Sequence, residues 1–417
     1  MSGKGGGGIR MIAFAGEGVF SPVLDSQVLV PLAALARHAP HIERTLLVLT
    51  SCRYRGSAKL PGRCAAIRAA LPGVRVVFRF RTFLWVPFED RRWARHLRRA
   101  LVKCGYDGTE PIIVHCRGPG TTAAAAALKR HDERLRVLFD MRGAAVDEIA
   151  NRGLLGWYLR GQARRTRAHA FGGADALNTV SQKLAEYVRG AGLLTRDIPA
   201  SVVGCCADTE RFHFDAGLRA ARRRELGFED QFVVCYCGQM WHWQRPDAVA
   251  QAFAAIRAGM TDAHMLIVSH QAEVLVRHLR RAGVPSDAVT VRTATHDQVA
   301  SLLMAADVGL LLRENTLTNR VASPVKFAEY LRCGLPVILT PYVGDFSALA
   351  TAEGVGQTVE FPPRPDEVLH AAQALRARLA TEGDAYRQRC SRVAGERFAW
   401  DAQLPQIIRL YETLAGV

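Results

Sequence analysis

The feature that most constrains this chain is an alternation that occurs twice. Short apolar runs, each the length of one buried strand, are separated by stretches of helical periodicity. In the first half, residues 9–15 read as a strand that ends at Gly16-Glu17-Gly18, and Ser26 is placed to cap a helix over 27–35. Further strands fall at 45–50, 74–80, 112–115, 135–140 and 176–180. The fourth leads through Gly118-Pro119-Gly120 into an alanine-rich helix over 121–128, and Ser181 is placed to cap a helix over 182–188. The pattern loosens between 198 and 214 and then restarts. Strands are predicted at 232–237, 265–269, 289–292, 308–312 and 336–340, with helices at 246–256, 296–305 and from Ser323-Pro324 to 331, and a mainly helical stretch from 366 onward. Strands alternating with helices specify parallel sheets covered on both faces.

A chain of 417 residues exceeds the ~250–300 residues at which one core stops growing. The expected organisation is therefore α/β, with two tandem doubly wound domains. An N-terminal domain takes residues 1–205, a second takes 206–395, and a last helix at 396–417 crosses back onto the first. Ligands of such sheets bind beyond the carboxyl ends of the strands. Two such domains facing one another are expected to place those ends around a cleft.

Composition excludes several classes. No stretch approaches the ~18 apolar residues of a spanning helix. The glycine-rich start, residues 1–8, has no apolar core of a secretory signal and reads as a tail, so a cytoplasmic location is expected. The ten cysteines are scattered without zinc-type spacing, which reads as reduced, mostly buried thiols and no metal site. The net charge of +16 admits nucleic acid, an anionic membrane surface, an anionic substrate or plain compositional bias. No zinc-finger, RRM or KH signature and no basic patch interleaved with aromatics is evident, so nucleic acid is not expected as a partner.

One segment carries most of the chemistry: Ser323-Pro-Val-Lys326-Phe-Ala-Glu329-Tyr-Leu-Arg-Cys-Gly334-Leu-Pro336-Val-Ile. Ser323 suits an N-cap and Pro324 the first helical position. The helix start then offers free backbone N–H groups and the positive end of its dipole to an anion. Lys326 in that first turn opposes the dipole, a placement explained by a phosphate nearby. Lys326 and Glu329 also share a face and are spaced to pair.

This segment resembles glycosyltransferase family 4, a large group of GT-B enzymes. Glu329 with Gly334-Leu-Pro336-Val-Ile matches the family's helix, whose glutamate binds the ribose hydroxyls of a donor nucleotide. The second glutamate common in the family falls here on Val321. Some branches carry a Ser-Pro-x-Lys-Phe-x-Glu-Tyr form, as this chain does. Tyr236-Cys-Gly238-Gln239 through Gln244-Arg245 stands where the family holds the donor diphosphate. The usual arginine is Gln239, which leaves Arg245 or His242 to supply the charge. The resemblance extends over 174–181, over Val203-Gly204 with Asp208 and Phe212, and over Phe398-Ala-Trp400-Asp401 with Tyr411.

It implies a GT-B fold of two Rossmann-like domains and transfer of a sugar from a nucleotide-sugar donor, with retention and without a metal or other cofactor. The acceptor is expected to be a glycan or a lipid-linked molecule of bacterial surface polysaccharide assembly. Donor-binding candidates are Gly16, Gly18, Gly238, Arg245, Ser323, Lys326 and Glu329. Gly16 and Gly18 read equally as a plain tight turn. Catalytic candidates are Asp140, Arg142 and His115 at strand ends of the first domain; the family often has a histidine near the position of Asp140. The same fold serves nucleotide-sugar epimerases and non-catalytic binding relatives, which remain alternatives. Residues 91–101 form an amphipathic pattern in which Trp93, Leu97 and Leu101 make an apolar stripe among arginines. That stripe suits either an anionic bilayer surface or docking onto the domain itself.

Overall fold

Both runs of strands assemble into parallel sheets. The structure is a computed structural model that describes residues 8–81, 89–144, 146, 153–240 and 242–417. The expected tail therefore lies outside the described residues apart from Gly8. The chain divides into two compact units, unit 1 comprising Met1–Gly204 with Gln403–Val417 and unit 2 comprising Cys205–Ala402.

Unit 1 contains β1 (Arg10–Ala15), β2 (Glu43–Ser51), β3 (Arg75–Arg81), β4 (Ile112–Arg117), β5 (Leu135–Met141), β6 (Ala176–Thr179) and β7 (Ala200–Val202). Its seven-stranded sheet runs β3-β2-β1-β4-β5-β6-β7. Unit 2 contains β8 (Phe232–Cys237), β9 (Ala263–Val268), β10 (Val289–Arg292), β11 (Val308–Leu311), β12 (Val337–Leu339) and β13 (Gly356–Thr358). Its six-stranded sheet runs β10-β9-β8-β11-β12-β13. Every pairing is parallel. In each sheet the strand order reverses once, between β1 and β4 and between β8 and β11. Such a reversal opens a crevice at the carboxyl edge.

The inner strands are largely apolar because helices cover both faces of a parallel sheet; every residue of β8 is buried, whereas edge strand β3 carries Arg75, Arg79 and Arg81. In unit 1 the helices Glu89–Lys103, Pro119–Lys129 and Gly153–Gly173 pack side by side. The middle one is built from small residues, with Ala123 through Ala127 all buried, so its neighbours approach closely. A side chain at Gly173 would collide with Ala126, and one at Gly120 with Trp93. Trp93, Leu97 and Leu101 are buried in this core beside Phe14 and Val77. The amphipathic stripe is thus occupied by the domain itself, and only the arginine face of that helix meets solvent.

Some local expectations need correction. Ser26 caps nothing; its hydroxyl donates to the Pro22 carbonyl at 3.2 Å, inside a helical stretch that already begins at Pro22 and passes through a π turn at Asp25–Leu29. Ser181 does cap its helix, accepting from Leu184 N at 3.0 Å. Strands β7 and β13 were not anticipated, since Ala-Ser-Val and Gly-Gln-Thr are too short and mixed to show an apolar run. At the amino end of β11, buried Asp307 gathers Arg219, Arg223 and Arg387. Among the described residues no helix is long and apolar enough to cross a membrane.

Candidate functional site

Unit 1 places its candidates at the crevice between β1 and β4 and on the adjoining ends of β5 and β6. Gly18 follows β1 with a φ of +87°, a backbone state that favours glycine. Gly16 needs no such freedom, because a side chain there would make only ordinary contacts with Thr121 and Trp93. Between them, Glu17 pairs with Arg117 from the end of β4. The second oxygen of Glu17 is buried and has no hydrogen-bond partner.

The three catalytic candidates come together around one carboxylate. Asp140 is 4% exposed. It accepts from Arg142 at 3.2 Å and from Asn178 Nδ2 at 2.8 Å, and faces Arg117 at 3.5 Å and His115 Nε2 at 3.6 Å. Burial alone would raise its pKa, but Arg142, His115 and Arg117 together hold it well below the usual carboxylate range. The other nitrogen of His115, Nδ1, meets the hydroxyl of Tyr411 at 2.6 Å. These contacts favour the ionised form of Asp140 and gather Arg142, Arg117 and His115 around it.

Unit 2 places its candidates at the crevice between β8 and β11. Gly238 ends β8 at a φ of +116°, and a side chain there would lie 2.7 Å from Lys326 Cε. The bare glycine thus lets Lys326 lie across the strand end. Lys326 Nζ donates to Tyr236 Oη at 3.1 Å and to Gln244 Oε1 at 2.9 Å, and sits 4.3 Å from the Tyr236 ring centroid. Burial lowers its pKa to about 7, and nearby Arg313 adds to the shift. Arg313, just beyond β11, is 6% exposed. It donates to the Trp243 carbonyl at 2.9 Å, and among the described residues it has no carboxylate partner.

Glu329 is 8% exposed, and burial raises its pKa to about 7. It sits in the helix Val325–Arg332. Its carboxylate makes no hydrogen bond among the described residues. The expected pairing with Lys326 is replaced by the contacts of Lys326 with Tyr236 and Gln244.

Two candidates are placed differently from expectation. Ser323 is not the N-cap. Pro324 takes that position without a side-chain hydrogen bond, while Ser323 Oγ accepts from the backbone N–H of Cys205 at 2.9 Å. Arg245 is held by carboxylates. It makes a two-point contact with Asp247 at 3.0 and 2.7 Å and a third bond to Glu314 at 2.8 Å. Its charge is compensated within the protein, and hydrogen bonding to Asp247 raises its pKa further. The side chain of His242 lies outside the described residues. Val321, where the family has its second glutamate, is buried at 2% exposure.

Arg313 is the cation that the sequence reading missed. Its only local signal is a charge directly after the apolar run of β11, a place where a parallel sheet presents its carboxyl edge.

The fold has counterparts among known proteins. Residues 231–378 match the family described as glycosyl transferases group 1. The whole chain superimposes on the crystal structure of Anabaena Alr3699/HepE in complex with UDP, with a TM-score of 0.68 and 14% identity, over 98% of this chain and 100% of that one. The fold is GT-B. Two further GT-B structures align over 98% of this chain and 100% of their own. These are WaaG, a glycosyltransferase involved in lipopolysaccharide biosynthesis (TM-score 0.65, 13% identity), and the catalytic domain of starch synthase IV from Arabidopsis thaliana bound to ADP and acarbose (0.66, 15%). At these identities the likeness is one of fold. No curated protein sequence matches the chain.

Proposed function

We propose that this protein is a glycosyltransferase that uses a nucleotide-sugar donor, in the manner of glycosyltransferase family 4, with retention and without a metal. The observation that carries the reading is the pair of buried cations at the unit 2 crevice. Lys326 and Arg313 lie close together, and among the described residues neither makes an ion pair with a carboxylate; the one buried carboxyl whose charge reaches Lys326, Glu329, is itself pushed by burial toward its neutral form. Burying like charges is costly unless an anion neutralises them. A nucleoside diphosphate is such an anion, and the start of the helix Val325–Arg332 adds the positive end of a dipole. Glu329, three residues after Lys326 in the same helix and without a hydrogen bond of its own, is available to accept from ribose hydroxyls.

Breaking the bond between sugar and phosphate leaves new negative charge on the diphosphate. Lys326 and Arg313 are fixed before that charge develops, which is the economical form of electrostatic catalysis. These protein cations take the part of a metal, so a chelator should leave activity unchanged. The sugar carbon passes through an oxocarbenium-like state. In unit 1, Asp140 acts as a positioning residue for Arg142, Arg117 and His115, and the unpartnered oxygen of Glu17 suits an acceptor hydroxyl. A glycan or lipid-linked acceptor of surface polysaccharide assembly, met at the inner face of a membrane, is the proposed setting.

The test is thermal stability against UDP-, GDP-, ADP- and CMP-sugars without metal, followed by product analysis. A ligand bound only by the folded state raises the melting temperature. A shift with one donor that is lost in Glu329→Ala, together with sugar transfer, supports the proposal. Conversion of the donor into an epimer would make the protein an epimerase, and binding without turnover a non-catalytic relative. A full shift in Glu329→Ala would sink the assignment of the site.

A further inference from the structure

Most of the net charge of this protein comes from one stretch. Residues 51–103 carry fourteen Lys or Arg against only Glu89 and Asp90, a net +12 of the total +16. The structure gathers this stretch at one edge of unit 1, where β3 is the outermost strand.

The cations are laid on aromatic rings. Phe78 and Phe80 alternate along β3, so they share one face of the sheet. The guanidinium of Arg68 lies 5.0 Å from the centroid of Phe78, and that of Arg55 lies 5.2 Å from Phe80. Beside them Arg53 covers Tyr54 at 4.6 Å and donates to its hydroxyl at 2.6 Å. On the other face Arg81 stacks over Trp93 at 5.8 Å. Among the described residues, none of Arg53, Arg55, Arg68, Arg75 and Arg79 has a carboxylate partner. Elsewhere in the chain exposed arginines do pair, as Arg376 does with both oxygens of Asp262.

A guanidinium held over a ring still has N–H groups at its rim to donate and has little side-chain entropy left to lose. That rim fits a carboxylate or phosphate through two parallel bonds. One or two charges on an edge strand are explained as protection against strand-to-strand aggregation. A series of arginines that includes Arg53, Arg55 and Arg68, each over a ring and without a carboxylate partner among the described residues, repels itself and goes beyond that need.

We propose that the β3 edge is a binding track for an anionic glycan, a carboxylate- or phosphate-bearing chain that serves as the acceptor. This rests on the transferase reading. Strand β2 alone separates β3 from β1, and all three strands end at the same carboxyl edge as Gly16, Gly18 and Glu17. A chain whose end occupies that crevice has the basic edge along its path. A bilayer is less well matched: among the described residues, the large exposed apolar side chains of unit 1 are Val23, Val102, Trp157, Tyr158 and Val417, none of them within the stacks.

The experiment measures binding of the full chain to four probes: alginate as a polyuronate, neutral dextran, phosphatidylglycerol-containing vesicles and random single-stranded DNA. Alginate should bind and dextran should not, and raising salt from about 50 to about 300 mM should weaken the alginate complex by about tenfold or more. Arg53→Glu, Arg55→Glu and Arg68→Glu combined should lose alginate binding, with the donor-induced thermal shift unchanged. The corresponding Gln variants, which keep most of the stem, should lose it in part and serve as the control for folding. Equal binding of alginate and dextran, undiminished binding by the variants, or tighter binding of vesicles or DNA than of alginate would each overturn the proposal. A retained donor shift without alginate binding defeats this proposal alone. A missing donor shift defeats the transferase reading, and alginate binding then stands as a separate property of the edge.

Discussion

Two buried carboxyl groups stand at the two candidate sites, one in each unit, and their surroundings push them in opposite directions. Asp140 in unit 1 is enclosed by Arg142, Arg117, His115 and Asn178 and stays ionised. Glu329 in unit 2 has the same burial and none of those hydrogen bonds, and its pKa climbs to about 7. Sequence position gives no hint of the difference, since each follows or sits among apolar residues. The contrast teaches how to separate roles. A carboxylate whose lone pairs are all taken is part of the scaffold, whereas one buried without partners is held ready for something the chain does not contain.

The comparison is sharpest in stability. Asp140→Ala takes from Arg142 its buried carboxylate and from Arg117, His115 and Asn178 a shared one, and should cost about 3–5 kcal/mol, read as a fall in the denaturation midpoint. Glu329→Ala removes a buried carboxyl that makes no hydrogen bond among the described residues and whose burial outweighs the nearby cations, so its midpoint should stay level or rise while donor binding is lost. Equal destabilisation by the two variants would erase the distinction.

Smaller, but specific to the second site, is a pH effect. Free Lys326 loses its proton at about pH 7, so binding a diphosphate above that pH must take up a proton. Donor affinity should therefore fall as pH rises from about 7 to about 9, by up to about tenfold per unit. Lys326→Arg, charged throughout this range, should flatten the profile. An unchanged slope in that variant would remove Lys326 from the anion site. The least effect is expected for Tyr411→Phe, which takes one hydrogen bond from His115 and should cost about 0.5–1.5 kcal/mol in thermal denaturation.

Much of this fold was legible because parallel strands must be apolar on both faces. That rule located β1, β4, β5, β8 and β11 within a few residues. It passed over β7 and β13, which lie at the last positions of their sheets and are three residues long. The helix carrying Lys326 and Glu329 was legible from its proline and its small-residue exit. Details that depend on distant chain were not. Ser323 has the right chemistry for a cap, yet the backbone of Cys205, 118 residues away, claims its hydroxyl. Arg245 is held by Asp247, two residues on and open to a sequence reading, and by Glu314, 69 residues further on and not. Arg313 carried no motif at all. The basic, aromatic-laced edge also escaped the sequence reading: residues 75–81 interleave arginine with phenylalanine, but Arg68 and Arg55, which lie over Phe78 and Phe80, come from elsewhere in the chain.

Unit 1 is not contiguous: its last piece, Gln403–Val417, is encoded after the whole of unit 2. Tyr411 reaches His115 from 296 residues downstream. At a translation rate of ~5–20 residues per second, a ribosome takes roughly 15 to 60 seconds to cover that distance. Throughout that interval the nascent polypeptide holds His115 and Asp140 without the hydroxyl that completes their network. The first unit to leave the ribosome is therefore the last to be finished, and its maturation is timed by the synthesis of the other.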